Sequence, residues 1–294
     1  MKKEQVKKMI DSAVEDLAEE LESGGSRKLQ RYLETMAKFH RYSYQNAILI
    51  QLQKPQATRV AGYRAWQKLG RQVQKGEKAI HIMAPIIRRK KPEEKDAGEK
   101  SGAKRDDDEE SETEKKLVGF TTACVFDISQ TEGKPLPEPA KVKGKPGQVL
   151  ERLKDFARTR DIGIEYPAHF RVIQGASKGG TVQIRPDLQP PEEFSTLAHE
   201  LAHELLHTEN PKDRKRNKTV EETEAEAVAH VVCHAAGLDV NTSSSDYICL
   251  YQGDTDTLTA SIKRIRKAAS TMLGHILPGS GTGRPGTVKY RARD

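Results

Sequence analysis

The sequence predicts an α+β protein of two modules, and three observations carry that expectation. Stretches with apolar residues at helical spacing alternate with short β-rich runs bounded by Gly and Pro. Residues 88–116 hold 10 basic and 11 acidic side chains among 29, too many charges to form a core. A Pro-, Gly- and Lys-rich stretch from Glu132 to Gly147 then divides a 294-residue chain, which has room for two modest domains. The expected modules are 1–138, with 88–116 as a disordered or projecting insertion, and 147–277. Residues 139–146 are the linker and 278–294 a disordered tail.

In chain order, Val6, Ile10, Val14, Leu17 and Leu21 line one face of a helix over 4–22, ended by Ser23-Gly24-Gly25-Ser26. Leu29, Leu33, Met36, Phe39, Ile48, Leu49 and Leu52 predict a second helix from Ser26 to Leu52. A short helix at 63–69 follows, then Val73, a Lys75-Gly76-Glu77-Lys78 turn and a strand over 79–87. The run Leu117–Phe126 returns as a strand of the same sheet. The second module opens with a helix at 147–160, followed by strands near 162–164, 169–173 and 181–184. Helices are expected from Pro190 to His207, from Val220 to Leu238 and from Asp256 to Leu277. Ser243–Asp246 caps the stretch that contains Tyr247 and Tyr251.

The chemistry is concentrated in His199-Glu200-Leu201-Ala202-His203-Glu204-Leu205-Leu206-His207. On a helix the three histidines share a face, and two at i and i+4 can aim ring nitrogens at one point, as tetrahedral zinc requires. A glutamate directly after the first histidine is placed to take a proton from water at the metal. The repeat offers two frames, His199/Glu200/His203 and His203/Glu204/His207. The first lies mid-helix between apolar neighbours; in the second, His207 would occupy a fraying last turn before Thr208–Pro211. The first frame is therefore preferred. In the next helix Glu222 is the expected third ligand, and Glu226, one turn on, can accept from the far nitrogen of a ligand histidine. Glu221 and Glu224 fit a solvated acidic first turn. His207, His230 and His234 are candidates for supporting contacts, and Tyr247 or Tyr251 for donating to a developing oxyanion.

The run Thr196–His207 followed by Glu222–Ala229 resembles the metallopeptidase domain of the ImmA/IrrE group, over roughly residues 145–277. The resemblance implies a zincin-like α+β domain with zinc (Zn2+) on His199, His203 and Glu222, and Glu200 as general base. Zincins of this kind lay substrate backbone along an edge strand of the sheet before the metal helix.

The field of the chain sits at its amino-terminal end. Net charge is +7, and residues 28–87 carry 11 Lys and Arg against 2 acidic residues. Tyr42, Tyr44, Tyr63 and Trp66 are interleaved there with Arg41, Arg59, Arg64, Lys68, Arg71, Lys75 and Lys78. Rings can stack on single-stranded bases while cations follow the phosphates. Composition alone is equally compatible with Phe39, Tyr42 and Trp66 filling a small core under an ordinary basic surface. The stretch Tyr42-Ser-Tyr-Gln-Asn46, with Gly62-Tyr-Arg-Ala-Trp66, Val73–Lys78 and Val125–Thr131, resembles the N-terminal domain of ArdC antirestriction proteins over about 26–138. That resemblance implies a small basic α+β domain binding single-stranded DNA, joined to a metallopeptidase domain in the order found here. It adds Asn46 to the candidate contacts.

Three widely spaced cysteines (Cys124, Cys233, Cys249), no apolar signal segment and no membrane-length apolar run point to a cytoplasmic protein without disulfides. The expected function is a single-stranded-DNA-binding zinc metallopeptidase of antirestriction type acting on a protein or peptide substrate. The alternatives are a DNA-shielding protein with a structural zinc and a regulatory protease that cleaves a repressor.

Overall fold

The computed structural model describes residues 1–89, 115–135, 146–170, 173–207, 218–238, 247–250 and 254–277. The middle of the charged insertion, most of the linker, the tail, Thr208–Pro211, Ser243–Asp246 and Tyr251 lie outside them. Helix α1 (Lys3–Glu22) buries Val6, Ile10, Ala13, Val14, Leu17, Ala18 and Leu21 as one stripe and ends where Gly24 takes φ +86°.

The single helix expected over 26–52 is two, α2 (Arg27–Lys38) and α3 (Tyr44–Gln53). The chain turns at Phe39–Ser43, where Ser43 Oγ accepts the Asn46 N–H and starts α3. Phe39 and Tyr42, packed edge to face at 6.0 Å, drop from that turn into a cluster with Ile50, Val60, Ile80, Ile82 and Val125. A straight helix would carry those two rings away from the sheet they cover.

That sheet consists of β1 (Val60–Gly62), β3 (Ile80–Arg89) and β4 (Lys115–Asp127), antiparallel in the order β1-β4-β3, so the two ends of the charged insertion are strand. Between β1 and β3 lie α4 (Tyr63–Lys68) and β2 (Arg71–Val73), and β2 pairs with β5 (Thr131–Gly133). Asp127 ties the corner together by accepting N–H groups from Thr58, Arg59 and Ser129 at 2.8–2.9 Å.

The second half begins with α5 (Pro146–Arg158), then β6 (Gly163–Glu165), β7 (Gly175–Ser177) and β8 (Thr181–Ile184) in the order β6-β8-β7. β6 runs parallel and β7 antiparallel to β8, leaving β7 at the edge. The strand expected at 169–173 is displaced: 169–170 lies in a turn region, 171–172 is outside the described residues, and the strand is 175–177. Helices α6 (Pro190–Leu206), α7 (Lys218–Ala235) and α8 (Thr255–Ile276) complete the described fold.

Packing does not follow the expected boundary between modules. Leu17, Leu21, Leu29, Leu33 and Met36 of α1 and α2 share one buried cluster with Phe156, Leu197, Val228, Ile262 and Leu273 of the second half. Arg266 Nε donates to the Tyr42 carbonyl at 3.0 Å, and Lys263 lies over the Tyr44 ring. Among the described residues, the β3–β4 region keeps a separate small core, and Val6, Ile10 and Leu49 form another between α1 and α3. Among the described residues, no helix is long and apolar enough to cross a membrane, and Cys124 and Cys233 are free thiols.

Candidate metal centre

Helix α6 starts on Pro190 and Pro191, and Gln189 and Glu192 exchange capping hydrogen bonds there. Phe194, Leu197, Ala198, Leu201 and Ala202 bury one side of it. The opposite side presents His199, Glu200, His203, Glu204 and His207 towards β7 and α7. His199 Nε2 lies 3.1 Å from His203 Nε2, and each is 3.5 Å from Glu222 Oε2 on α7. One donor atom from each of the three residues lies within 4.8 Å of the others. Two imidazole nitrogens and one carboxylate oxygen suit a borderline divalent ion, and three protein donors are the number a catalytic zinc takes. The donor set therefore fits the metal that the motif implies.

The surroundings orient these groups. His199 turns Nδ1 towards Glu226 Oε2 at 3.3 Å, and His203 turns Nδ1 towards His207 Nδ1 at 3.0 Å. Glu200 is 7% exposed on the wall of a cleft of about 580 Å³ lined also by Ile173, Gly175, Ser177, Gly179 and Glu221. Burial, aided by the Glu222 and Glu204 carboxylates and opposed by His199, pushes the Glu200 carboxyl up to about 7. At His199 burial acts downward, but the Glu226 hydrogen bond and neighbouring carboxylates win and raise it.

Gly175 of the edge strand sits so close that a Cβ would lie 2.6 Å from Glu200 Oε1 and 2.7 Å from Thr196 Cγ2. One turn along α6, Glu204 accepts Ser177 Oγ at 2.5 Å, Gly179 N at 2.9 Å and Gly180 N at 2.7 Å. Successive glutamates of α6 thus seat β7 beside the three donors.

Several expectations are corrected here. Glu224 is no solvated first-turn residue: it is 1% exposed, holds His207 Nε2 at 3.2 Å and pairs with Arg264. Burial alone would raise its carboxyl, but hydrogen bonds from His207, Arg264 and Ser261 bring it down to about 2. His207, expected to fray, has a 6% exposed side chain. Tyr247 is 1% exposed in the main core and is not among the residues that line the cleft; Tyr251 is outside the described residues. His230 stacks on His234 with ring centroids 6.2 Å apart and is not among the converging donors. Gly175, Ser261 and Arg264 escaped the sequence reading, and Glu204, named there only as the glutamate of the second frame, was not foreseen as the anchor of β7. The HExxH repeated with a four-residue period was the available signal for Glu204.

The DNA candidates divide by burial. Trp66 is fully buried with its indole N–H on the Phe126 carbonyl at 2.9 Å, so it is a core residue and not a stacking platform. Tyr42 is also buried, donating to the Val60 carbonyl, and Asn46 pairs both amide atoms with the Met83 backbone at 2.8–2.9 Å. The Arg71 guanidinium is engaged by Thr131 and the Lys134 carbonyl. Arg41 and Tyr44 are half-buried, and Lys263 of α8 lies over the Tyr44 ring. Tyr63, 42% exposed, and Arg64, Lys68, Lys75 and Lys78 remain on the surface.

Two domain families match the chain. The N-terminal domain of anti-restriction factor ArdC matches residues 2–126, and the IrrE N-terminal-like domain, of the M78 peptidases, matches residues 152–239. An uncharacterized protein of Bacillus anthracis is 29% identical over 143 residues, 45% of this chain and 23% of that protein, so the chain spans about a quarter of the curated relative's length. Two crystal structures of the antirestriction protein ArdC from plasmid R388 share the fold. The metal-free form has TM-score 0.53 and 18% identity over 91% of this chain and 97% of that one. The Mn(II)-bound form has TM-score 0.53 and 16% identity over 92% and 98%.

Proposed function

We propose that this ArdC-type chain, an ArdC N-terminal domain joined to an IrrE-like domain, is a single-stranded-DNA-binding zinc metallopeptidase of antirestriction type. The observation that carries the peptidase half is the convergence of His199, His203 and Glu222 beside the cleft-facing Glu200. Zinc held by those three residues would supply Lewis acidity to a peptide carbonyl and acidify a water. Glu200 would take the proton of the attacking water on a carboxylate oxygen and return it to the departing amide nitrogen. Glu226 holds the His199 ring by its far nitrogen. β7 offers its outer edge to an extended peptide, with Ile173 and Glu221 on the cleft wall as neighbours of the side chains.

Metal analysis of the full chain should find one zinc. Glu200→Gln should keep it while abolishing cleavage of a denatured protein substrate that the wild type cuts. A Glu200→Gln chain that cleaves at the wild-type rate would sink the assignment.

For the DNA half, the candidates are the exposed Tyr63, Arg64 and Lys68 of α4 and Lys75 and Lys78 of the β2–β3 turn. Binding belongs to the full chain, since α1 and α2 share their core with the second half. Log affinity for an oligothymidylate should fall with log salt by about 0.7 per phosphate contact. Lys68→Ala or Lys75→Ala should reduce that slope. Tyr63→Ala should cost roughly 1–3 kcal/mol at constant slope. A chain that ignores single strands at low salt, or prefers duplex, removes the DNA half and leaves the peptidase.

A further inference from the structure

We infer that His207, Glu224, Ser261 and Arg264 form a positioning chain that orients the metal ligand His203 and ties the centre to α8. The inference rests on the metal reading above and concerns only the residues behind the donor atoms.

The hydrogen-bond directions follow from one requirement. His203 aims Nε2 at the shared point, 3.1 Å from His199 Nε2 and 3.5 Å from Glu222 Oε2. A lone pair there leaves the ring proton on Nδ1. That nitrogen is 3.0 Å from His207 Nδ1, so His203 donates and His207 accepts. With a single ring proton, His207 carries it on Nε2 and donates to Glu224 Oε2 at 3.2 Å. The carboxylate is fixed from its far side. Ser261 Oγ donates to Oε1 at 2.6 Å, Arg264 Nε lies 3.1 Å from both oxygens, and Arg264 Nη2 donates to Oε1 and, at 3.0 Å, to Ser261 Oγ. Every proton has one place, and reversing the His203–His207 bond would turn an N–H towards the metal. The middle of the chain is shielded, with side-chain exposures of 6% at His207 and 1% at Glu224, which strengthens the bond between them; Arg264 at the far end is 30% exposed.

A buried Arg–Glu pair alone is weak support for stability. What this pair does here is hold the acceptor for His207. Ser261 and Arg264 lie beyond residue 239, where the match to the IrrE-like domain ends. The far end of the chain behind His203 therefore comes from outside the matched domain, whereas His199 is braced within it by Glu226 of α7.

The test uses the full chain, with zinc affinity measured against a chelator and the ligand-field spectrum measured with Co(II). His207→Phe should weaken zinc roughly 10–100-fold and shift the Co(II) bands. His207→Asn, which restores an acceptor near the place of Nδ1, should recover most of the affinity and the spectrum. Arg264→Met should weaken zinc in the wild-type background and add little in His207→Phe, because both act through one chain. Wild-type affinity and spectrum in His207→Phe overturn the inference, as does an Arg264→Met loss that adds in full. Should His207→Phe fail to fold, Arg264→Met and His207→Asn decide: unchanged zinc affinity in Arg264→Met, or an Asn variant with the zinc site lost, overturns it. A wild-type chain that binds no zinc overturns the metal reading itself, an outcome distinct from selective indifference to His207.

Discussion

Helix α6 carries the same device twice, one turn apart: His199-Glu200 leading to His203, and His203-Glu204 leading to His207. Sequence treats the two frames alike, but their neighbours do not. Glu200 faces a cleft with Gly175 drawn close beside it, while Glu204 spends its oxygens on Ser177, Gly179 and Gly180. His199 reaches Glu222 directly, while His207, among the described residues, bonds to His203 and the buried Glu224. The lesson is that partners brought by β7, α7 and α8 assign the roles, and the motif merely supplies the candidates. A carboxylate saturated by hydrogen-bond donors has little left to offer a reacting proton; one on a cleft wall does.

The largest effects should separate the frames by metal content. His199→Ala or His203→Ala should lower zinc from one per chain to trace levels by elemental analysis, while His207→Ala stays loaded at micromolar concentration. The reverse pattern would transfer the site to the second frame. Next, Gly175→Ala should leave zinc in place yet slow peptide cleavage on the order of 100-fold, because a methyl group there must displace Glu200 and misplacement of a reacting group by about 1 Å has that scale. A fully active Gly175→Ala chain would mean that Glu200 is not held against β7. Smaller still, Glu204→Ala should lower stability by about 1–2 kcal/mol in urea unfolding of the metal-stripped chain, from the lost charged hydrogen bonds to β7 and the following turn. No loss would show that Glu204 does not seat the strand. Last, Glu221→Gln, on the cleft rim, should stay within about 0.5 kcal/mol; a larger change would point to a role for that carboxylate in the fold.

How far the sequence reached can be traced residue by residue. The stripe Leu197, Ala198, Leu201 and Ala202 specified α6, and with it the face shared by His199 and His203, because helical period is local information. The strands over 80–87 and 117–126 were readable from their β-rich runs. The break at Phe39–Ser43 was not, since apolar residues continue near helical phase through it and only the sheet beneath requires the turn. Trp66 and Tyr42 were misplaced because an aromatic among bases looks the same whether its ring faces solvent or a core. β7, Gly175-Ala-Ser, has almost no strand propensity and owes its conformation to β8 and to α6. Glu224 looked solvated because its partners Ser261 and Arg264 are 37 and 40 residues away.

The cluster uniting α1 and α2 with α7 and α8 also constrains how the molecule is made. Arg266 and Tyr42, joined by a hydrogen bond, are separated by 224 positions, so native packing closes very long loops. During synthesis the apolar stripes of α1 and α2 emerge before α7 and α8, so part of their native cover is absent until those helices have left the ribosome. Those stripes are therefore the segments most in need of a chaperone while translation proceeds. An ArdC-like half made alone would keep that surface exposed, ready for aggregation or for capture by a second chain.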